Sequence, residues 1–213
     1  MLGMFNKDLR FTLMGNTKTG KTTFIDFLKL GKFPERDYEP TSEITEYKAS
    51  IKLESSKKAS FFSIERRRKY NIKAIEAPGK FEFRRDWREA IKKGNGDVIV
   101  HFMDMHQPLS ETQSALEEVY NRYMEFLDKN IDKADEKAQT VNLLLQIAVN
   151  HLDDPNEIGK AEDFLRDNFT SMFDVLRKKI PLIKIERYYF SLKRNPYKEL
   201  NALFERQRRF YYK

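Results

Sequence analysis

The chain has 213 residues, no cysteine, 40 Lys and Arg against 33 Asp and Glu, and a formal net charge of +7. Without cysteine there can be neither disulfides nor thiolate metal sites, and no apolar run approaches the ~20 residues needed to span a bilayer. The length fits one domain, 1–213, with a sizeable core, and the composition suits an intracellular, cytoplasmic protein.

In chain order, Leu9, Phe11 and Leu13 alternate with more polar neighbours, the period of a strand. Gly15-Asn16-Thr17-Lys18-Thr19-Gly20-Lys21-Thr22 follows, a complete G-x-x-x-x-G-K-[ST] loop, and Thr23 to Leu30 then carries apolar residues at helical spacing. Strand, loop and helix start in that order are the context of a phosphate-binding loop rather than of a Gly-rich turn. Backbone N–H groups from Asn16 to Thr22, with the positive end of the helix, provide a concave site for phosphate. Gly15 and Gly20 permit backbone angles that a Cβ obstructs. Lys21 is expected to reach the β- and γ-phosphates, and the Thr22 hydroxyl to ligate Mg²⁺. Thr23, in the first helical turn, is counted with the nucleotide-binding residues. The Lys18 side chain is read as solvated, although its backbone belongs to the loop.

A polar, Pro-containing loop spans Gly31 to Thr41. Residues 44–54 and 59–65 read as a hairpin turning at Ser55-Ser56-Lys57-Lys58, and 71–77 as a further strand stopped by Pro78-Gly79. A helix through Trp87 to Ile91 ends at Gly94 or Gly96. Asp97 to Asp104 is nearly continuous apolar sequence, the mark of a strand covered on both faces. A long amphipathic helix runs from Ser110 to about Asn130, and a second buried strand from Thr140 to Val149. The pattern then gives a helix from Ile158 to Lys179, a strand from Leu182 to Phe190, and a C-terminal helix opened by Pro196. Strands alternating with helices predict a mainly parallel sheet with helices on both faces.

The clusters Arg66-Arg67-Arg68-Lys69, Arg84-Arg85, Arg177-Lys178-Lys179 and Arg206-Gln207-Arg208-Arg209 admit two readings. One is an acidic partner, nucleic acid or an anionic membrane face. The other, preferred here, is a heavily charged, thermophile-like surface. No RNA-binding aromatic motif or zinc-finger spacing accompanies the charge, so nucleic acid is not expected. The first residues, Met1 to Lys7, are too short for a signal peptide, and no lipid-anchor motif is recognisable.

In an open parallel sheet, ligands sit at the carboxyl ends of the strands. The residues there, in order, are Pro40-Thr41-Ser42-Glu43, Glu76-Ala77-Pro78-Gly79, Asn150-His151-Leu152-Asp153 and Ser191-Leu192-Lys193. With the phosphate loop, these resemble the motifs of the Ras superfamily of small GTPases, most closely its Arf/Sar branch and the related signal-recognition-particle receptor β subunit. The resemblance covers nearly the whole chain. It implies a P-loop NTPase three-layer sandwich: a mainly parallel six-stranded α/β sheet with one antiparallel edge strand and helices on both faces. It implies GTP or GDP as ligand, Mg²⁺ as cofactor, and protein effectors with an activating or exchange partner. Membrane association, usual in that branch, is not inherited without its N-terminal amphipathic helix.

By the same resemblance, Thr41 completes Mg²⁺ coordination when GTP is bound. Gly79 meets the γ-phosphate, and Glu76 stands where the family has an Asp that orders a metal-bound water. Asn150 ties the phosphate loop to the base and Asp153 accepts from N1–H and the 2-amino group of guanine, donors that adenine lacks. His151 replaces a Lys whose stem covers the base; an imidazole can stack there, or be an ordinary loop histidine. Ser191, Leu192 and Lys193 support guanine from the other side, Leu192 through its backbone N–H. Lys80 replaces the family's Gln or His that orients the attacking water, and a charged lysine has no lone pair to accept that water's proton. Binding residues are thus better represented than catalytic ones. The expectation is a GTP/GDP switch with slow Mg²⁺-dependent hydrolysis, the alternative a scaffold that holds GTP with little turnover.

Overall fold

The computed structural model describes residues 8–33, 39–54, 67–128, 141–193 and 196–211. Its elements are β1 (Asp8–Met14), α1 (Lys21–Leu30), β2 (Thr45–Glu54), β3 (Arg67–Glu76), α2 (Trp87–Lys93), β4 (Val98–Asp104), α3 (Leu109–Asp128), β5 (Leu144–Asn150), α4 (Glu157–Lys179), β6 (Lys184–Tyr189) and α5 (Pro196–Tyr211). A 3₁₀ turn, Phe81–Asp86, leads into α2. The strands form one six-stranded sheet in the order β2-β3-β1-β4-β5-β6. Every pairing is parallel except β2 with β3, which makes β2 the antiparallel edge.

The period of two in the strands sends alternate side chains to two separate cores. Leu9, Phe11 and Leu13 of β1 face one way with Val98, Val100 and Phe102 of β4, where Phe24 of α1 and Leu200, Leu203 and Phe204 of α5 cover them. Met14, Ile99, Leu145 and Ile147 face the other way, under Trp87 of α2, Leu116 and Tyr123 of α3, and Leu165 and Phe169 of α4. The arrangement is therefore an α/β sheet between two helical layers. All residues of β4 and β5 are buried, as covered central strands require.

Two expectations need correction, the extent of the strand at 71–77 and the start of the second buried strand. β2 pairs with Arg67–Glu76 in one continuous register from Thr45↔Glu76 to Glu54↔Arg67, so the strand expected at 71–77 is only the end of a longer one. The proposed strand 59–65 and the turn at 55–58 lie outside the described residues, as do Thr140 and Asn130. β5 starts at Leu144, and the 3₁₀ turn before α2 had no sequence signal. Among the described residues no helix is long and apolar enough to cross a membrane.

α5 closes the sheet chiefly through Phe204, which is fully buried among Phe11, Phe24 and Tyr70 with ring centroids 6.1, 6.3 and 5.6 Å away. Replacing a buried Phe by Ala removes its transfer energy and leaves a cavity. Phe204→Ala is expected to lower unfolding stability by about 3–5 kcal/mol, read from urea denaturation with an unchanged m-value.

Candidate functional site

At the carboxyl end of β1 the chain turns through positive φ at Gly15 (129°), Lys18 (65°) and Gly20 (97°). Gly20 is also the N-cap of α1 and contributes no side-chain cap, so the first N–H groups of the helix stay open to an anion. A Cβ on Gly20 would collide with the Asn150 amide. Lys21 folds back under the loop: its Nζ donates to the carbonyls of Gly15 and Asn16, both at 2.8 Å. Burial pushes this ammonium down to about 8, with the carboxylate of Glu76 opposing the shift. The Thr19 hydroxyl closes the loop on the Asn16 carbonyl at 2.9 Å.

Three distant segments meet beside Lys21. Thr22 Oγ1 donates to Glu76 Oε1 at 2.6 Å and lies 3.3 Å from Thr41 Oγ1, which is itself 3.4 Å from Glu76 Oε1. Glu76 is fully buried, and its Oε2 has no partner at full hydrogen-bond geometry among the described residues, the Tyr47 phenol being near enough only for a weak interaction with this carboxylate. Burial, followed by the charge of Glu76, pushes the nearby Tyr47 phenol up to about 12. Among the described residues no three His, Asp or Glu side chains converge as a metal cage. Mg²⁺ does not need one: it keeps waters, takes phosphate oxygens and accepts one or two hard oxygen donors from protein. Two hydroxyls and a carboxylate fit that requirement. A cavity of about 290 Å³ opens over this corner, lined by Thr17, Lys18, Gly20 to Thr23, Glu39 to Thr41, Glu76, Gly79 and His151.

Gly79 approaches the loop so closely that a Cβ would stand 2.6 Å from the Thr17 nitrogen and 2.8 Å from Lys21 Nζ. Trp87 holds this turn from behind, its indole N–H donating to the Pro78 carbonyl at 2.7 Å. Lys80 lines a second cavity of about 580 Å³ that shares Thr17 and Gly79 with the first. Its ammonium is 4.0 Å from Glu82.

On the opposite flank, Asn150 is buried and bridges two loops. Its Nδ2 donates to the Thr19 carbonyl at 3.1 Å, and its Oδ1 accepts from the Leu192 N–H at 3.3 Å. The N–H expected to serve guanine is thus engaged within the protein in this structure. Ser191 Oγ donates to Asp153 Oδ1 at 3.0 Å, while Asp153 and Lys193 are exposed. Asp153, Ser191, Leu192 and Lys193 stand beyond Asn150, outside the lining of the first cavity. His151 does line it, and its Nδ1 lies 2.7 Å from Asp104 Oδ2.

Two buried polar residues escaped the sequence reading. Arg84, taken with Arg85 as surface charge, is buried: it donates to Asn16 Oδ1 at 2.5 Å and to Ser114 Oγ at 3.0 Å, whereas the Arg85 side chain is 78% exposed. Burial pulls its guanidinium below the usual range, against the charges of Glu118 and Glu111. His101 in β4 is fully enclosed and pushed down to about 3 by burial and then by the charges of Lys21 and Arg84, so it is neutral. Gln107 adds a further clamp, donating to the Thr17 carbonyl at 2.8 Å. None of these lies in a motif; only the three-dimensional pairing of β1 with β4 and the 3₁₀ turn brings them to the loop.

Compared with protein-family models and with curated proteins, the sequence matches none.

The Lys21 shift has a measurable sign. The folded value near 8 lies below the unfolded value of 10.5, so the unfolded chain holds this proton more tightly in between. The ligand-free protein should therefore gain stability as pH rises from about 8 to 10.5, a contribution that vanishes in Lys21→Met. Urea denaturation of both proteins at pH 7 and pH 9.5 checks this. Parallel pH dependences would disprove it.

Proposed function

We propose that the chain is a guanine-nucleotide-binding protein of the small GTPase type, a P-loop NTPase sandwich resembling the Arf/Sar branch. One observation carries the reading: Thr22, Thr41 and Glu76, from three separate segments, converge within hydrogen-bonding distance beside the buried Lys21 ammonium. That corner suits a triphosphate with Mg²⁺, whose bound form neutralises charge between the β- and γ-phosphates. The guanine preference rests on Asp153, whose carboxylate can accept from two donors that adenine does not present. Asn150 supports it by tying the phosphate loop to the Ser191–Lys193 turn.

Lys80 argues for slow turnover. A water aligned on the γ-phosphate needs an acceptor, and the side chain next to Gly79 is an ammonium 4.0 Å from Glu82. Hydrolysis would then depend on a partner supplying the missing group, such as an arginine finger. The same residue favours the second reading, a scaffold or adaptor that keeps GTP bound with little turnover. Effectors and an activating or exchange protein belong to the first reading.

Identification of the nucleotide that co-purifies with the protein, together with its affinity ranking, tests the proposal. GTP and GDP should bind at least a hundredfold more tightly than ATP, and Asp153→Ala should remove most of that difference by leaving guanine donors unpaired. Equal binding of ATP would overturn it. In single-turnover assays Lys80→Gln should accelerate hydrolysis by about tenfold or more, the scale of a restored proton-accepting contact.

A further inference from the structure

β4 and β5 end side by side, with Asp104 directly opposite Asn150 in the parallel register. The residue after Asn150, His151, has φ 64°, a left-handed conformation that is strained for a non-glycine residue. That turn brings its imidazole to Asp104, with Nδ1 at 2.7 Å from Oδ2. Asp104 is itself immobilised, because its other oxygen accepts from the His106 backbone N–H at 2.9 Å and lies 3.0 Å from His106 Nδ1. Desolvation opposes the charge on Asp104, but hydrogen bonds from His151 and His106 outweigh it and hold the carboxyl below its usual range. Asp104 therefore stays an acceptor at neutral pH, and His151 must carry its proton on Nδ1. Nε2 is the ring nitrogen left to face a ligand. His151 lines the nucleotide cavity and Asp104 does not.

We propose that Asp104 is a positioning residue for nucleoside recognition, fixing the tautomer and plane of His151 so that its ring forms the wall against the sugar and base. This rests on the nucleotide-binding reading above and deepens it. An anionic acceptor behind a histidine fixes which nitrogen is protonated and where the ring points. It does the work that a lysine stem does not need done, because a stem covers a base by length alone whereas a ring must be oriented. The strained backbone at 151 and the doubly held carboxylate at 104 are both accounted for by that task.

The test is a double-mutant cycle on the full chain, with Asp104→Asn, His151→Ala and the double variant, all checked for unchanged thermal unfolding. GDP affinity is measured with Mg²⁺, and pyrophosphate with Mg²⁺ serves as a probe that lacks the nucleoside. Asp104→Asn is expected to weaken GDP binding about tenfold, of the order of coupling between neighbouring residues. In the His151→Ala background the same change should have no effect. Pyrophosphate should bind all variants equally. A wild-type GDP affinity in Asp104→Asn, an effect that persists without His151, or a parallel loss of pyrophosphate binding would each overturn the proposal. Failure of the wild-type protein to bind GDP would instead remove the nucleotide-binding reading on which it stands.

Discussion

A buried ammonium group must be surrounded by oxygen, and the rest of this site follows from how Lys21 meets that condition. Taking a charged lysine out of water costs several kcal/mol unless its three donors are matched. Two are matched by the carbonyls of Gly15 and Asn16. Those carbonyls point inward because the backbone between them and α1 passes through positive φ at Gly15, Lys18 and Gly20. The loop in turn is held at Asn16 by Arg84, at Thr17 by Gln107 and at Thr19 by Asn150. The clamps come from the segment after β3, the segment after β4 and the last residue of β5, so the sheet order, with β1 between β3 and β4, helps them converge. The remaining imbalance is a cation pushed toward neutrality beside a carboxylate, which the phosphate and Mg²⁺ of the proposed function would relieve.

How much of this could be read in the sequence depended on the range of the interaction responsible. The loop from Gly15 to Thr22 was legible because its residues act on one another over a few positions. β4 was legible because a strand covered on both faces is apolar throughout. The extent of β3 was not, since its first part, 67–70, opens on three basic residues and pairs Arg67 with Glu54 and Lys69 with Lys52 across the ribbon. Such pairs carry no hydrophobic period, and a pattern-based strand therefore begins too late. The 3₁₀ turn Phe81–Asp86 has no amphipathic stripe to announce it either.

Arg84 and Arg85 make the same point within the site. Adjacent in sequence and identical in chemistry, they were indistinguishable as a charged pair. The tight turn sends one to Asn16 and Ser114 and leaves the other in solvent. Asp104 was likewise hidden, read only as the end of an apolar strand; its role appears when β5 is placed beside β4 and His151 turns back toward it. Thr41 and Glu76, by contrast, were legible through resemblance alone, and the structure brings both to Thr22.

The same contacts bear on how far the site can move. Gly79 is wedged against Thr17 and Lys21, and Trp87 donates to the Pro78 carbonyl, so the turn after β3 is packed directly against the Gly15–Thr22 loop. On the nucleotide-binding reading, movement on the β3 side of the site would then occur beyond Gly79, in the segment that carries Lys80, the largely exposed Phe81 and Arg84. That segment is tethered, because its displacement would withdraw Arg84 from Asn16 and Ser114. Hydrogen bonds from a charged group are worth about 1.5–3 kcal/mol each, and breaking them would leave Asn16 Oδ1 unpaired inside the Gly15–Thr22 loop. If the chain binds a nucleotide as proposed, a change large enough to release this segment would therefore weaken that site. On that proposed reading, the coupling favours either a small movement confined to Lys80 and Phe81 or a site that stays closed on its ligand, and it joins the lysine at position 80 in favouring the retention alternative over rapid turnover.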